Sequence, residues 1–230
     1  MSERPITIAV PKGRTLKPLA SMLASAGLPT AELLADSRAL VREARPVGSA
    51  TKGAPATAPP LRFLLLKPDD VPTYVEYGAA DLGVVGRDVL DERESDVYAP
   101  LDLGIGRCRL AVARRVDVDV TTDRPRVATK YPRTALLHFQ RKGQDVDIIE
   151  LSGSVELAAV THLADYIVDV VETGTTLAEN GLTIVETVSE VSTMLIVNRA
   201  VYNLRAAIIA DLIRRLERQV SPRIGGYSAA

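Results

Sequence analysis

The amino-acid sequence predicts an α/β protein of two units, each a parallel or mixed sheet with helices on its faces. Three observations predict it. Short runs rich in β-branched residues and bounded by turn residues alternate with segments of helical period. The order β, α, β is that of a sheet covered by helices. After one such cycle the pattern starts again near residue 109, and 230 residues are enough for one large core or two small ones.

The first cycle opens on the apolar run 6–10. Leu16, Leu19, Ala20 and Leu23 follow as an i, i+3, i+4, i+7 stripe closed by Gly27, which predicts a helix. Residues 61–66 are a second strand. Asp70 is placed to cap a helix with Pro72 in its first turn, and 81–85 reads as a buried strand. The second cycle runs through strands at 109–113 and 126–129, a helix around 135–141 and a strand at 147–151. A helix at 158–163, a buried strand at 167–171 and a last strand at 194–197 complete it. In the final helix Leu204, Ile208, Leu212 and Leu216 recur every four residues, opposite Arg214, Arg215, Glu217 and Arg218. One face therefore packs, docking the helix on the first unit. Residues 44–60 are almost wholly Ala, Pro, Gly, Ser and Thr without periodicity, and read as a flexible loop between two strands.

With 28 basic and 29 acidic residues, the net charge of -1 gives no broad footprint for nucleic acid or an anionic membrane. The single cysteine, Cys108, excludes an intrachain disulfide and a cysteine-only zinc site and points to the cytoplasm. The apolar run at 6–10 meets Pro11 and Lys12, too soon for a signal peptide. No run approaches the ~20 apolar residues of a membrane span. His138 and His162 lack ligand spacing, so no metal site is assigned, and Cys108 reads as a packing residue.

The stretch 167–176 carries the clearest chemistry: a strand, a tight turn and a helix start that ends at Gly181. Such a turn aims backbone N–H groups and hydroxyls at one point, which suits a phosphate. No Gly-Lys-Ser/Thr is present, so it is not the nucleotide P-loop. Asp169 lies within the apolar strand, where a carboxylate needs partners such as the two hydroxyls of a ribose. The plain alternative is a strand followed by a capping threonine.

Residues 168–176 resemble the phosphoribosyl pyrophosphate loop of ATP phosphoribosyltransferases. Pro11-Lys12-Gly13-Arg14, the segments 70–76 and 78–83, Ala128-Thr129-Lys130-Tyr131-Pro132 and Gly153-Ser154-Val155-Glu156-Leu157 resemble that family too, in its order, across residues 6–198. The resemblance implies two lobes like those of a type II periplasmic binding protein, with the active site in the interlobe cleft. Residues 1–104 with 198–230 would form the first lobe and 105–197 the second, with crossing strands at 107–113 and 194–198. Thr173, Gly174, Thr175 and Thr176 would cradle the 5-phosphate, Asp169 would hold the ribose hydroxyls, and Glu156 would lie near the same ribose. Arg38 and Arg62 would meet nucleotide and pyrophosphate groups as catalytic residues, with Lys12 and Arg14 as further nucleotide or anion contacts. The loop at 44–60 is longer than the family implies.

The implied reaction joins N1 of ATP to C1 of phosphoribosyl pyrophosphate, releasing pyrophosphate, as the first step of histidine biosynthesis. The cofactor implied is Mg2+ bound to substrate. After the helix through Leu216 only 220–230 remain, so the resemblance is to the short, catalytic-only form. That form implies a homodimer and a regulatory subunit resembling histidyl-tRNA synthetase. Two alternatives stay open: a non-catalytic two-lobed binding or regulatory subunit, and a phosphoribosyltransferase with another acceptor. The first would need neither the phosphoribosyl loop nor the arginines.

Overall fold

A computed structural model describes residues 4–30, 32–45 and 59–224. The chain divides into two compact units, Met1–Gly106 with Ser192–Ala230, and Arg107–Val191. It leaves the first unit once and returns once, the double crossing of a type II periplasmic binding protein.

The first unit is built on a six-stranded sheet. Its strands are β1 (Ile6–Pro11), β2 (Val41–Ala44), β3 (Leu61–Leu66), β4 (Leu82–Gly86), β5 (Tyr98–Asp102) and β11 (Thr193–Val197), in the order β2-β3-β1-β4-β11-β5. β3, β1 and β4 run parallel, β2 pairs antiparallel with β3, and β11 lies antiparallel between β4 and β5. β1 is buried along its whole length, because helices cover both faces. On one face α1 (Leu16–Ser25) and the C-terminal α8 (Ala206–Ile224) pack onto Ile8, Phe63, Val84 and Leu195. On the other, α2 (Val71–Glu76) and α3 (Arg87–Arg93) cover Ala9, Val85 and Ile196. Ile209, Leu212, Leu216 and Val220 dock α8, each worth ~1.5–3 kcal/mol when fully buried.

The segment 78–83 has a structural explanation. Gly78 ends α2 at φ 74. The buried Asp81 carboxylate accepts from the Thr7 N–H at 2.8 Å and lies 3.6 Å from Arg4 and from Arg205. A Cβ on Gly83 would come within 2.7 Å of Val75 and 2.9 Å of Val71, so only glycine lets α2 lie this close to β4. Asn198 completes the lock. Its Nδ2 donates to the Val75 and Glu76 carbonyls at the end of α2, and its Oδ1 accepts from Ala200 and Val201 at the start of α7 (Arg199–Leu204).

The second unit is a five-stranded sheet of β6 (Cys108–Arg115), β7 (Arg126–Thr129), β8 (Asp147–Glu150), β9 (Tyr166–Val171) and β10 (Leu182–Val191), in the order β10-β6-β9-β7-β8. β9, β7 and β8 are parallel, joined by α4 (Pro132–Arg141) and α5 (Glu156–Val160), while β6 and β10 are antiparallel additions. α4 covers one face through Ala135 and Phe139. α5 and α6 (Thr175–Glu179) cover the other, over Ala111, Ile167 and Val171.

Four sequence expectations change. The return to the first unit lies at Val191/Ser192, not at 197/198, because β11 pairs with β4 and β5 in the first sheet; the outward crossing lies at Gly106/Arg107 instead of 104/105. Leu204 does not join the docking stripe: it ends α7, 83% exposed, and Ile209 begins the buried face instead. The helix expected at 158–163 is α5, which stops at Val160, with His162 beyond it in the left-handed region at φ 59. The expected final helix is two helices, α7 and α8. Of the loop expected at 44–60, residues 46–58 lie outside the described residues, and its flanks are β2 and β3, paired from Ala44↔Leu61.

Candidate active site

In the second unit, parallel β7, β8 and β9 end on one carboxyl edge, and each continues through a short turn toward a helix. Ligands of open α/β sheets gather at such edges. The three turns contain Lys130-Tyr131, Gly153 to Val155, and Glu172 to Gly174, each belonging to a segment singled out in the sequence.

The β7 turn is fixed by a hydroxyl. Thr129 is fully buried; its Oγ1 donates to the Val168 carbonyl at 2.6 Å and accepts from the Tyr131 N–H at 2.8 Å. That ties the end of β7 to the β9 residue just before Asp169. Residues alternate along β9, so Asp169 faces the same side as Ile167 and Val171, which enter the core under α5 and α6. Its Oδ1 accepts from the Val170 N–H at 2.7 Å. Glu156 begins α5 on this face, with Ala158 and Ala159 anchoring the helix.

The third turn bends back over β9. Gly174 sits at φ 83, in the left-handed region that glycine enters without cost, and a Cβ there would lie 3.9 Å from Val171. The Thr173 and Thr175 hydroxyls are 2.9 Å apart, and the Thr175 N–H points at Thr173 Oγ1 at 3.4 Å. Thr175 and Thr176 open α6, which Leu177 anchors in the core. Thr173, Thr175 and Thr176 are exposed. Asp169, Glu156 and the 173–176 turn thus belong to one face and one edge, two carboxylates and a cluster of neutral donors. Such a set can bind a diol next to a phosphate.

In the first unit, Lys12 and Arg14 follow the carboxyl end of β1, where the Lys12 N–H donates to the Leu66 carbonyl at 2.9 Å. Arg38 is exposed, on the segment that enters β2 beside the carboxyl end of β3, with the Leu65 N–H donating to the Leu40 carbonyl. These three stand toward one edge. Arg62 stands apart: it pairs with Thr7, five residues before Lys12, so it is set back by ~16 Å at ~3.3 Å per residue. Its Nε and Nη2 donate to Glu43 Oε1 at 3.1 and 2.7 Å. Both partners are nearly half exposed, which limits that pair to ~0–1 kcal/mol.

Sequence reasoning missed Arg42. Its guanidinium donates to the carbonyls of Leu33 and Ala35 at 2.8 Å, Ser37 at 2.7 Å, and Glu32 and Ala39 at 3.3 Å. One β2 side chain thereby holds the segment that carries Arg38. No motif announces this, because the acceptors are backbone carbonyls.

A separate cluster lies on the α4 face of the second sheet. Lys142 Nζ donates to Glu186 Oε1 and Oε2 at 2.7 and 2.8 Å, and His138 Nε2 lies 3.1 Å from Oε1. Burial pushes the Glu186 carboxyl up, but the bonds from Lys142 and then His138 outweigh it and hold the group below its ordinary value. Among the described residues no three His, Cys, Asp or Glu side chains are grouped to hold a metal. No helix among them is long and apolar enough to cross a membrane.

A family model described as ATP phosphoribosyltransferase matches residues 67–218. A protein named ATP phosphoribosyltransferase from Sorangium cellulosum is 56% identical over 213 residues, 93% of this chain and 95% of that protein. One of the same name from Bacillus licheniformis is 46% identical, covering 92% of this chain and 93% of its own length. Among solved structures, the ATP phosphoribosyl transferase (HisG:HisZ) complex from Thermotoga maritima contains a chain that superposes with a TM-score of 0.76 at 29% identity. The match covers 94% of this chain and 98% of that one.

Proposed function

The chain belongs to the ATP phosphoribosyltransferase family, a family of pentosyltransferases, and from that premise we propose how its residues serve the reaction. ATP and phosphoribosyl pyrophosphate condense to phosphoribosyl-ATP and pyrophosphate, the first step of histidine biosynthesis. N1 of the adenine attacks C1 of the ribose, the bond from C1 to the pyrophosphate oxygen breaks, and the centre inverts. No protein nucleophile is required. The protein holds two polyanions in attack geometry and stabilises the charge that moves onto the leaving pyrophosphate.

The second unit binds the phosphoribosyl group. Thr173, Gly174, Thr175 and Thr176 take the 5-phosphate, Asp169 accepts from the ribose hydroxyls, and Glu156 lies beside the same ribose. The observation that carries this reading is the gathering of those residues on one face and one carboxyl edge, around a left-handed glycine. In the first unit, Lys12 and Arg14 contact nucleotide or other anionic groups, and Arg38 and Arg62 stabilise the departing pyrophosphate. There Arg62 gives Nε and Nη2 to Glu43, so phosphate oxygens would either displace that carboxylate or meet the rest of the guanidinium.

Magnesium fits as an ion carried by substrate. Asp169 and Glu156 would help hold the ion together with substrate oxygens, and it would draw charge from the leaving group. The chain acts in the cytoplasm, as a homodimeric core that joins a regulatory subunit resembling histidyl-tRNA synthetase. The complex named in the Thermotoga maritima structure supports that partnership.

The test is incubation of the full chain, alone and with its regulatory subunit, with ATP, phosphoribosyl pyrophosphate and magnesium. Chromatography should find phosphoribosyl-ATP and pyrophosphate in equal amounts. Absence of phosphoribosyl-ATP under both conditions overturns the reading.

A further inference from the structure

One cation on the α5–α6 face of the second sheet is left without a role. Cys108, Leu110 and Val112 of β6 enter the core under α4, whereas Ala111 and Ala113 enter the core under α5 and α6. Alternation therefore puts Arg109 on the Ala111 side. The register sets it opposite Val171 of β9 and Glu190 of β10, neighbours ~5 Å away, and one same-face position from the Ala111↔Asp169 pair. Val171 is the residue over which Gly174 folds. Arg109 thus shares a face and an edge with Asp169 and the 173–176 turn.

Its side chain is half-buried, yet among the described residues it makes no hydrogen bond or ion pair, not even with Glu190 directly opposite. A guanidinium partly withdrawn from water and given no acceptor is costly until a ligand supplies one. The turn beside it has the complementary need. It offers hydroxyls, backbone N–H groups and only a five-residue helix, with the carboxylates of Asp169 and Glu156 on the same face. A phosphate monoester brings about -1.5 to -2 charge at neutral pH, and residues 172–176 contain no cation to balance it.

We propose that Arg109 is a phosphate-binding residue, donating to the 5-phosphate of the phosphoribosyl substrate seated in the 173–176 turn. It rests on the assignment of that turn to the phosphoribosyl group. Arg109 supplies the charge that the turn lacks, in the planar fork suited to phosphate oxygens.

Calorimetry on the full chain tests this with three ligands: phosphoribosyl pyrophosphate, ribose 5-phosphate, which has only the 5-phosphate, and ATP. Arg109→Met keeps the alkyl stem and removes the charge. It should weaken ribose 5-phosphate and phosphoribosyl pyrophosphate by about tenfold or more, and ATP by less than about twofold. Glu190→Gln should leave all three within about twofold, because Glu190 is not the partner of Arg109. Ribose 5-phosphate binding that survives Arg109→Met within about twofold overturns the proposal. A wild-type chain that binds no phosphoribosyl pyrophosphate overturns the assignment of the turn itself, and Arg109 with it. Should Arg109→Met not fold, the wild-type chain still decides. Phenylglyoxal modification of Arg109, followed by peptide mass, should slow about fivefold or more under saturating ribose 5-phosphate. An unchanged rate refutes the contact.

Discussion

Replacing Arg42 by methionine removes five donors while keeping most of the stem. Two of the bonds lost, to Leu33 and Ala35, are partly buried, and three, to Glu32, Ser37 and Ala39, are exposed. Taking ~1 kcal/mol for each partly buried bond and a few tenths for each exposed carbonyl, which water can satisfy, gives ~2–3 kcal/mol. The loss is local, because the five bonds all run to carbonyls of residues 32–39, and the Leu33 side chain stays anchored in the core beside Phe63. Hydrogen exchange should therefore accelerate by ~30- to 150-fold at residues 32–40, with protection in β1 and β3 unchanged. Arg38 loses its support at the same time. The single-turnover rate should fall about tenfold or more while phosphoribosyl pyrophosphate affinity holds. Unchanged exchange at 32–40 would refute the stapling. Faster exchange with an undiminished chemical step would refute a catalytic role for Arg38.

Gly174→Val forces a β-branched residue to φ 83, where a Cβ is tolerated at van der Waals distance from Val171 and Ile184 but the backbone is strained by ~1–2 kcal/mol; calorimetry should show phosphoribosyl pyrophosphate weakened more than ATP, and equal losses would count against the phosphate turn. Asp169→Asn removes charge at constant shape and should cost ~1–3 kcal/mol toward ribose-bearing ligands, whereas unchanged binding in the same titration returns Asp169 to a structural role. Glu43→Gln frees Arg62, so if Arg62 meets pyrophosphate, the variant should bind inorganic pyrophosphate more tightly than wild type; weaker binding would show that the pair presents Arg62 in its working pose. Glu186 has a folded-state value held below its ordinary 4.5, so its contribution is full above that value and is lost as pH falls through the depressed one. The melting temperatures of wild type and Glu186→Gln should accordingly differ at neutral pH and converge in acid, and a gap that persists there refutes the linkage.

Strands buried on both faces were the most legible part of the fold. β1 read directly from its apolar run because it is buried along its whole length, and β9 and β7 read from the apolar residues around Asp169 and before Thr129. β10 did not, since register shifts between Ile184 and Glu186 and between Thr187 and Ser189 break its alternation and turn Glu186 toward His138 and Lys142. β5 was hidden by exposed Tyr98, Ala99 and Pro100, which an edge strand tolerates and a pattern search rejects. At the candidate site the local turn was legible in Gly174 and its threonines. Asp81, Gly83 and Asn198 carry meaning only across the fold, through a strand terminus, a helix pressed on β4 and two helix ends. Arg109 was visible as a residue, but its isolation depends on neighbours from β9 and β10.

The position of β11 between β4 and β5 sets the order in which a nascent chain can assemble. β5 finds its sheet neighbour only after residues 193–197 have been made, and the carbonyls that end α2 wait for Asn198, 123 residues after Val75. The intervening segment 107–191 is one continuous stretch with all its sheet partners inside it. Synthesis from the N-terminus thus lets the second unit mature first, while β4 keeps an open edge that β11 later fills. Closing that edge is the long-range, entropically costly step, and until it closes the exposed flank of β4 is where the chain is most open to pairing with another molecule.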